Sequence, residues 1–119
     1  MIALYVFLAG GAGALARYGI SNQYHGDSLV WSVVGINVVG SFALGLLLAL
    51  PADWMSPQVR TTLGVGFLGG FTTFSTFSAQ AWADIEAGEP GRALLYVGVS
   101  VLAGIAAAAA GFYLARAIR

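Results

Sequence analysis

GVGFLGGFTTFSTFS, residues 64–78, lies near the middle of a 23-residue stretch, 61–83, that carries no charged side chain. That stretch is long enough to cross a bilayer core of about 30 Å, which takes about 20 apolar residues per helix. Its middle nevertheless resists an uninterrupted helix. Gly69 and Gly70 are poor helix formers, and Thr72, Thr73, Ser75, Thr76 and Ser78 crowd competing hydroxyls just after them. Hydrocarbon cannot hydrogen-bond freed backbone groups, so a broken helix survives there only where protein or a water-filled cavity satisfies them. The stretch predicts a helix that unwinds near residues 69–72. A break at bilayer depth marks a binding site or a permeation route, and this one has no fixed charge.

The rest of the 119-residue chain follows the same pattern. Charged residues make up 8% and hydrophobic ones 59%, against about 25% and about 45–50% in soluble domains. Asp27 and Asp53 enclose 25 uncharged residues, Arg92 and Arg116 enclose 23, and 16 precede Arg17. Four transmembrane helices are expected, near 2–20, 30–50, 60–84 and 93–116, in one domain over residues 1–119. A soluble helical bundle would need more polar residues to cover its surface. No Lys or Arg precedes the first apolar run, unlike a typical cleaved signal peptide. Without cysteine there is no thiolate or disulfide chemistry, and a net charge of zero gives no support for nucleic-acid binding.

Alternating helices put Arg60, Arg116 and Arg119 on one side of the membrane and Arg17 and Arg92 on the other. Lys/Arg bias sets orientation, and three against two is almost none. Such balance suits a chain that inserts both ways, or a fixed topology with a weak signal. Small residues recur at four-residue spacing as Gly10/Ala14, Ser41/Gly45, Gly66/Gly70, Ser100/Gly104 and Ala107/Gly111. They allow close helix approach. The expectation is a tight bundle with its glycine faces buried against a second subunit, in a two-fold assembly.

Several side chains stand out, each with two readings. Arg17 either snorkels to the interface or turns inward to hold structure or draw anions. Asn37, the one strongly polar group of the second span, is either interhelical glue or a donor facing a polar pathway. Phe71, Phe74 and Phe77 recur every third residue, as a packing stripe or as electropositive ring edges offered to an anion. Thr73, Thr76 and Gln80 supply hydrogen-bonding groups on another face. Tyr96 and Ser100 share a face of the fourth span. Carbonyls freed near 69–72 suit a small hard cation. His25 sits in a polar loop and reads as solvated.

No Asp, Glu, Lys or His lies in the interior of any expected span. Proton-coupled exporters of similar size need a membrane-embedded carboxylate, usually in the first span, and residues 1–16 have none. No nucleotide-binding glycine loop, nucleophile–base pair or metal-binding histidine cluster is present, so catalysis is not expected. An accessory membrane subunit, its polar residues merely gluing helices, is the remaining rival to a passive route for a small ion.

At GFLGGFTTFSTFS, residues 66–78, the chain resembles the small bacterial fluoride channels, the Fluc or CrcB family. GGAGALARY at 10–18 and GINVVGSFALG at 35–45 add to the likeness, in order and spacing along nearly the whole chain. The resemblance implies an antiparallel, dual-topology homodimer in the bacterial inner membrane, with two fluoride pores. It also implies a central structural sodium ion at the subunit interface, held by the backbone carbonyls of Gly69 and Thr72. Phe74 and Phe77 match the phenylalanines that contact fluoride, Asn37 the pore-facing asparagine, and Arg17 the arginine near the pore entrance. Thr73, Ser75 and Thr76 match the polar part of the motif, and Tyr96 and Ser100 resemble a polar track on the fourth helix. Gly104 stands where some relatives carry another hydroxyl. A buried cation would raise the local potential for anions: a unit charge at ~8 Å contributes about 2 kcal/mol at an effective dielectric of about 20.

Overall fold

The computed structural model describes the whole chain, Met1–Arg119, as helices joined by short loops. Helix α1 is Ile2–Ser21 and α2 is Asp27–Ala49. The third span has two arms, α3 over residues 57–71 and α4 over Phe74–Glu86, and α5 is Pro90–Ile118. Helices α1, α2 and α5 are each long and apolar enough to cross a membrane. Every boundary lies within three residues of its expected place. Proline sets two of the starts: Pro57 and Pro90 occupy first-turn positions, where the missing N–H costs nothing. The loops between α1 and α2 and between α4 and α5 turn on Gly26 and Gly88, at φ 57° and 81°, a backbone region that favours glycine.

The helix break falls at Thr72 and Thr73, beyond the glycine pair expected to cause it. Gly69 and Gly70 remain helical and close the end of α3, while the segment Thr62–Leu68 is wound as a π-helix. What the glycines provide is proximity. A Cβ on Gly70 would collide with the Gly10 carbonyl of α1, and one on Gly13 with the Phe67 carbonyl of α3. The glycines of the two helices thus interlock backbone to backbone. Lower in the bundle, Gly45 of α2 lies on the Ala108 carbonyl of α5, and Gly111 of α5 on the Phe42 carbonyl of α2. Of the small residues expected to face a second subunit, Gly45, Gly70 and Gly111 are packed against backbone within the chain.

The arms of the third span belong to different neighbours. Arm α3 packs on α1, whereas α4 packs on α5, and α2 with α5 forms the most extensive contact in the molecule. The break is where the chain crosses from one helix pair to the other. Val34, Ala81 and Tyr96 form a small core at the meeting of α2, α4 and α5, with Phe77 and Val30 packed around it. Only 15 of 119 residues are buried and none of them is charged. Large apolar side chains such as Phe7, Leu15, Leu94 and Leu102 stand in the open, as lipid-facing or subunit-facing residues do.

Charges gather at the two ends. At one, Arg60 donates to the carbonyls of Leu47, Leu50 and Pro51, and Arg119 reaches Ala49 O at 3.5 Å. Two cations thereby satisfy orphan carbonyls at the negative end of α2. At the other end Arg92 pairs with Asp27 and lies 3.7 Å from Asp84, tying the starts of α2 and α5 to the end of α4.

Candidate functional site at the helix break

Thr72 and Thr73 are extended (φ −83°, ψ 159° and φ −148°, ψ 119°), which strips the Thr73 N–H and C=O of helical partners. Asn37, in the middle of α2, replaces them. The Thr73 N–H donates to Asn37 Oδ1 at 2.9 Å, and Asn37 Nδ2 donates to Thr73 O at 3.1 Å. A primary amide presents one acceptor beside two donors, so it pairs with a peptide unit as another peptide would. Its second amide hydrogen makes no bond within the chain. Asn37 thus clamps the break and also lines the space beside it.

The threonines complete the clamp. Thr73 Oγ1 accepts from the Thr76 N–H at 3.2 Å, capping α4, and donates to Thr76 Oγ1 at 3.1 Å; Ser75 Oγ lies 3.4 Å away. The Thr72 N–H and its hydroxyl both donate to Leu68 O at 3.0 Å. Arg17 turns inward, its Nε donating to Gly70 O at 3.3 Å, a cation placed at the carbonyl end of α3. Carbonyls are left over at the break. Thr72 O accepts no hydrogen bond, and the Thr73 N–H that would continue the helix onto Gly69 O goes to Asn37.

An open cleft of about 330 Å³ lies against this break. Asn37 and Ser41 of α2, Gly69, Thr72 and Thr73 of the break, and Phe74, Phe77 and Ser100 line it, and no ionisable side chain does. Phe74 is 78% exposed. Phe77 leans on the core, its ring centre 5.7 Å from that of Phe74 and 5.2 Å from that of Tyr96. Ser100 Oγ is buried and has no hydrogen-bond partner. Such an orphan hydroxyl costs free energy unless something in the cleft meets it.

The structure brings together Asn37, Gly69, Thr72, Thr73, Phe74, Phe77 and Ser100 on one cleft. It keeps four other expected residues off the lining. Ser75 and Thr76 join the capping network, and Arg17 sits behind the break. Tyr96 is buried at 1% exposure between Phe77 and Trp31, its hydroxyl donating to Gln80 Oε1 at 2.7 Å. Ser41 is the lining hydroxyl that the sequence reading took only as a small packing residue. Its signal was available: four residues after Asn37, it shares that residue's helix face.

The family model described as CrcB-like protein, Camphor Resistance (CrcB), matches residues 4–112. A Hydrogenovibrio crunogenus protein named fluoride-specific ion channel FluC is 42% identical over 113 residues, covering 91% of this chain and 86% of its own length. The protein of that name from Thermus thermophilus is 40% identical over 119 residues, covering 97% of this chain and 94% of its own. One from Rhodospirillum centenum is 42% identical over 118 residues, covering 95% and 94%. With its GGFTTFSTF break clamped by Asn37 and that likeness running almost end to end, the chain belongs to the CrcB family.

Proposed function

We propose that this chain is a passive, fluoride-selective channel of the bacterial inner membrane, working as an antiparallel homodimer with two pores that export toxic fluoride. The single observation carrying this reading is the cleft at the break: an amide, hydroxyls and two phenyl rings converge there with no ionisable side chain among them. Relatives named as fluoride-specific channels share the sequence over nearly its full length.

The chemistry follows from what fluoride demands. The ion is strongly hydrated, so a pathway must replace water with donors and positive dipoles while holding the ion weakly enough to release it. The free Asn37 amide hydrogen and the Ser100 hydroxyl donate. Phe74 and Phe77 offer electropositive ring edges, which need no counter-charge. The N-terminus of α4, capped by Thr73 and flanked by Ser75 and Thr76, adds the positive end of a helix dipole. Tyr96 supports the route from behind by fixing Phe77, and Arg17 adds positive charge behind the break. With no carboxylate or histidine on the cleft, transport needs no proton cycle, and no residue set for catalysis is present.

A structural sodium ion fits the donor set. Gly69 and Thr72 offer neutral carbonyl oxygens released by the break, the ligand type that suits a small hard cation. No group of three His, Cys, Asp or Glu side chains gathers anywhere, which speaks against a transition-metal site. Pairing of two inverted subunits would bring both sets of carbonyls to the shared interface. When bound, the ion supplies positive charge without a titratable group. The molecule is a thin slab of 51 × 31 × 20 Å whose cleft is open, which leaves a face for a partner to cover.

Efflux from liposomes tests the reading. Purified protein should release fluoride rapidly without a proton gradient and retain chloride. Proton-driven cation export would point to a transporter, and absence of any flux to an accessory subunit; either result would overturn the proposal.

A further inference from the structure

We infer that Ser41 is a pathway hydroxyl, supplying from α2 the hydrogen-bonding group that α5 lacks at Gly104. The inference rests on the fluoride-channel reading and extends it to a residue outside the polar groups already assigned. Ser41 lines the cleft together with Asn37 and Ser100. A Cβ built on Gly104 would stand 3.7 Å from Ser41 Oγ, so the Ser41 hydroxyl lies beside the place a side chain at 104 would fill. Asn37 and Ser41 are one turn apart on α2, and Ser100 and Gly104 are one turn apart on α5. The pairs face each other across one space, three of the four positions polar.

The state of the hydroxyl argues for a ligand role. Serine and threonine inside apolar helices usually bond back to a carbonyl three or four residues earlier. Ser32, Thr62 and Thr72 do so here, to Leu29 O, Gln58 O and Leu68 O. Ser41 and Ser100 make no such bond: the Ser100 hydroxyl is buried without a partner, and Ser41 is no party to any side-chain bond of the other cleft residues. Ser41 is left as a free donor on the cleft lining, and the buried Ser100 hydroxyl is left without a partner. One turn beyond Ser41 and Gly104 the space ends, because Gly45 meets the Ala108 carbonyl and the two helices touch backbone to backbone. Ser41 is therefore the last polar group between α2 and α5, where an anion leaves the protection of that groove.

Fluoride efflux from liposomes, with size-exclusion chromatography to follow assembly, tests this on Ser41→Ala and on the double variant Ser41→Ala/Gly104→Ser. Loss of one charge-assisted hydrogen bond should slow efflux about tenfold in Ser41→Ala with assembly unchanged. The double variant, which moves the hydroxyl to the facing helix, should recover to within about threefold of the native rate if the bond is regained. A Ser41→Ala protein that conducts normally, or one that assembles differently, overturns the inference while leaving the channel reading intact. So does a slow single variant that the second hydroxyl fails to restore. A native protein that passes no fluoride removes the channel reading and this inference with it.

Discussion

Asn37 clamps the break and lines the cleft through one amide, and its substitutions should separate its structural role from the conduction proposed for it. Asn37→Ala strands the N–H and C=O of Thr73 without partners. At about 1–3 kcal/mol for each unsatisfied group, the variant should lose about 2–6 kcal/mol, read as a lower melting temperature in detergent. Asn37→Asp keeps an acceptor for the Thr73 N–H but sets a potential negative charge on the anion path. We expect it to assemble and to conduct at least about 100-fold more slowly. Normal conduction by Asn37→Asp at neutral pH would remove Asn37 from the pathway. The phenylalanines make a second contrast. Phe74 stands 78% exposed, so Phe74→Ile should leave stability unchanged and slow efflux about tenfold, since apolar volume is kept and the ring edge is lost. Phe77 packs against Tyr96 and the core, so Phe77→Ile should lower both flux and melting temperature.

Among the elements, the four apolar spans were legible because bilayer thickness demands a long apolar run and charges bracket the last three. The break was legible in kind and nearly in place, overlapping the expected 69–72 at Thr72, but not in its cause. Sequence singles out Gly69 and Gly70 as weak helix formers, yet intrinsic propensity yields to packing, and both stay helical where α3 presses on α1. The residues that do leave the helix are Thr72 and Thr73, because Asn37 and the Thr73 cap together replace the lost backbone bonds. That pairing of α2 with the break is long-range, and no local pattern announces it. The same holds for Arg60, read from the sequence only as a charge that sets orientation. In the fold it satisfies carbonyls at the end of α2. Gly70→Ala tests the packing account. Its added methyl would meet the Gly10 carbonyl, and overpacking of this kind costs about 1–3 kcal/mol. The variant should melt lower or fail to assemble, and an unchanged melting temperature would return the glycine pair to the role of helix breaker.

For the whole molecule, the charge count and the shape lead to the same experiment. Arg60 and Arg119 meet at the C-terminal end of α2, while Arg92 joins Asp27 at its start, so the cations divide between the two ends. Part of each end's positive charge is also engaged by carbonyls or carboxylates. A chain so balanced should be pushed into one orientation by very few added lysines, since bias in short loops sets topology. Ala52→Lys with Gln58→Lys loads one end, and Asn22→Lys with His25→Lys loads the other, all four at exposed positions. If function requires inverted partners, each doubly substituted chain produced alone should lose most fluoride efflux from cells. The two produced together should restore it, because each supplies the orientation the other lacks. A C-terminal topology reporter should read one side for each biased chain and both sides for the native one. Full efflux from either biased chain alone, with the reporter confirming a single orientation, would reject the antiparallel pair and with it the shared carbonyl site proposed for sodium.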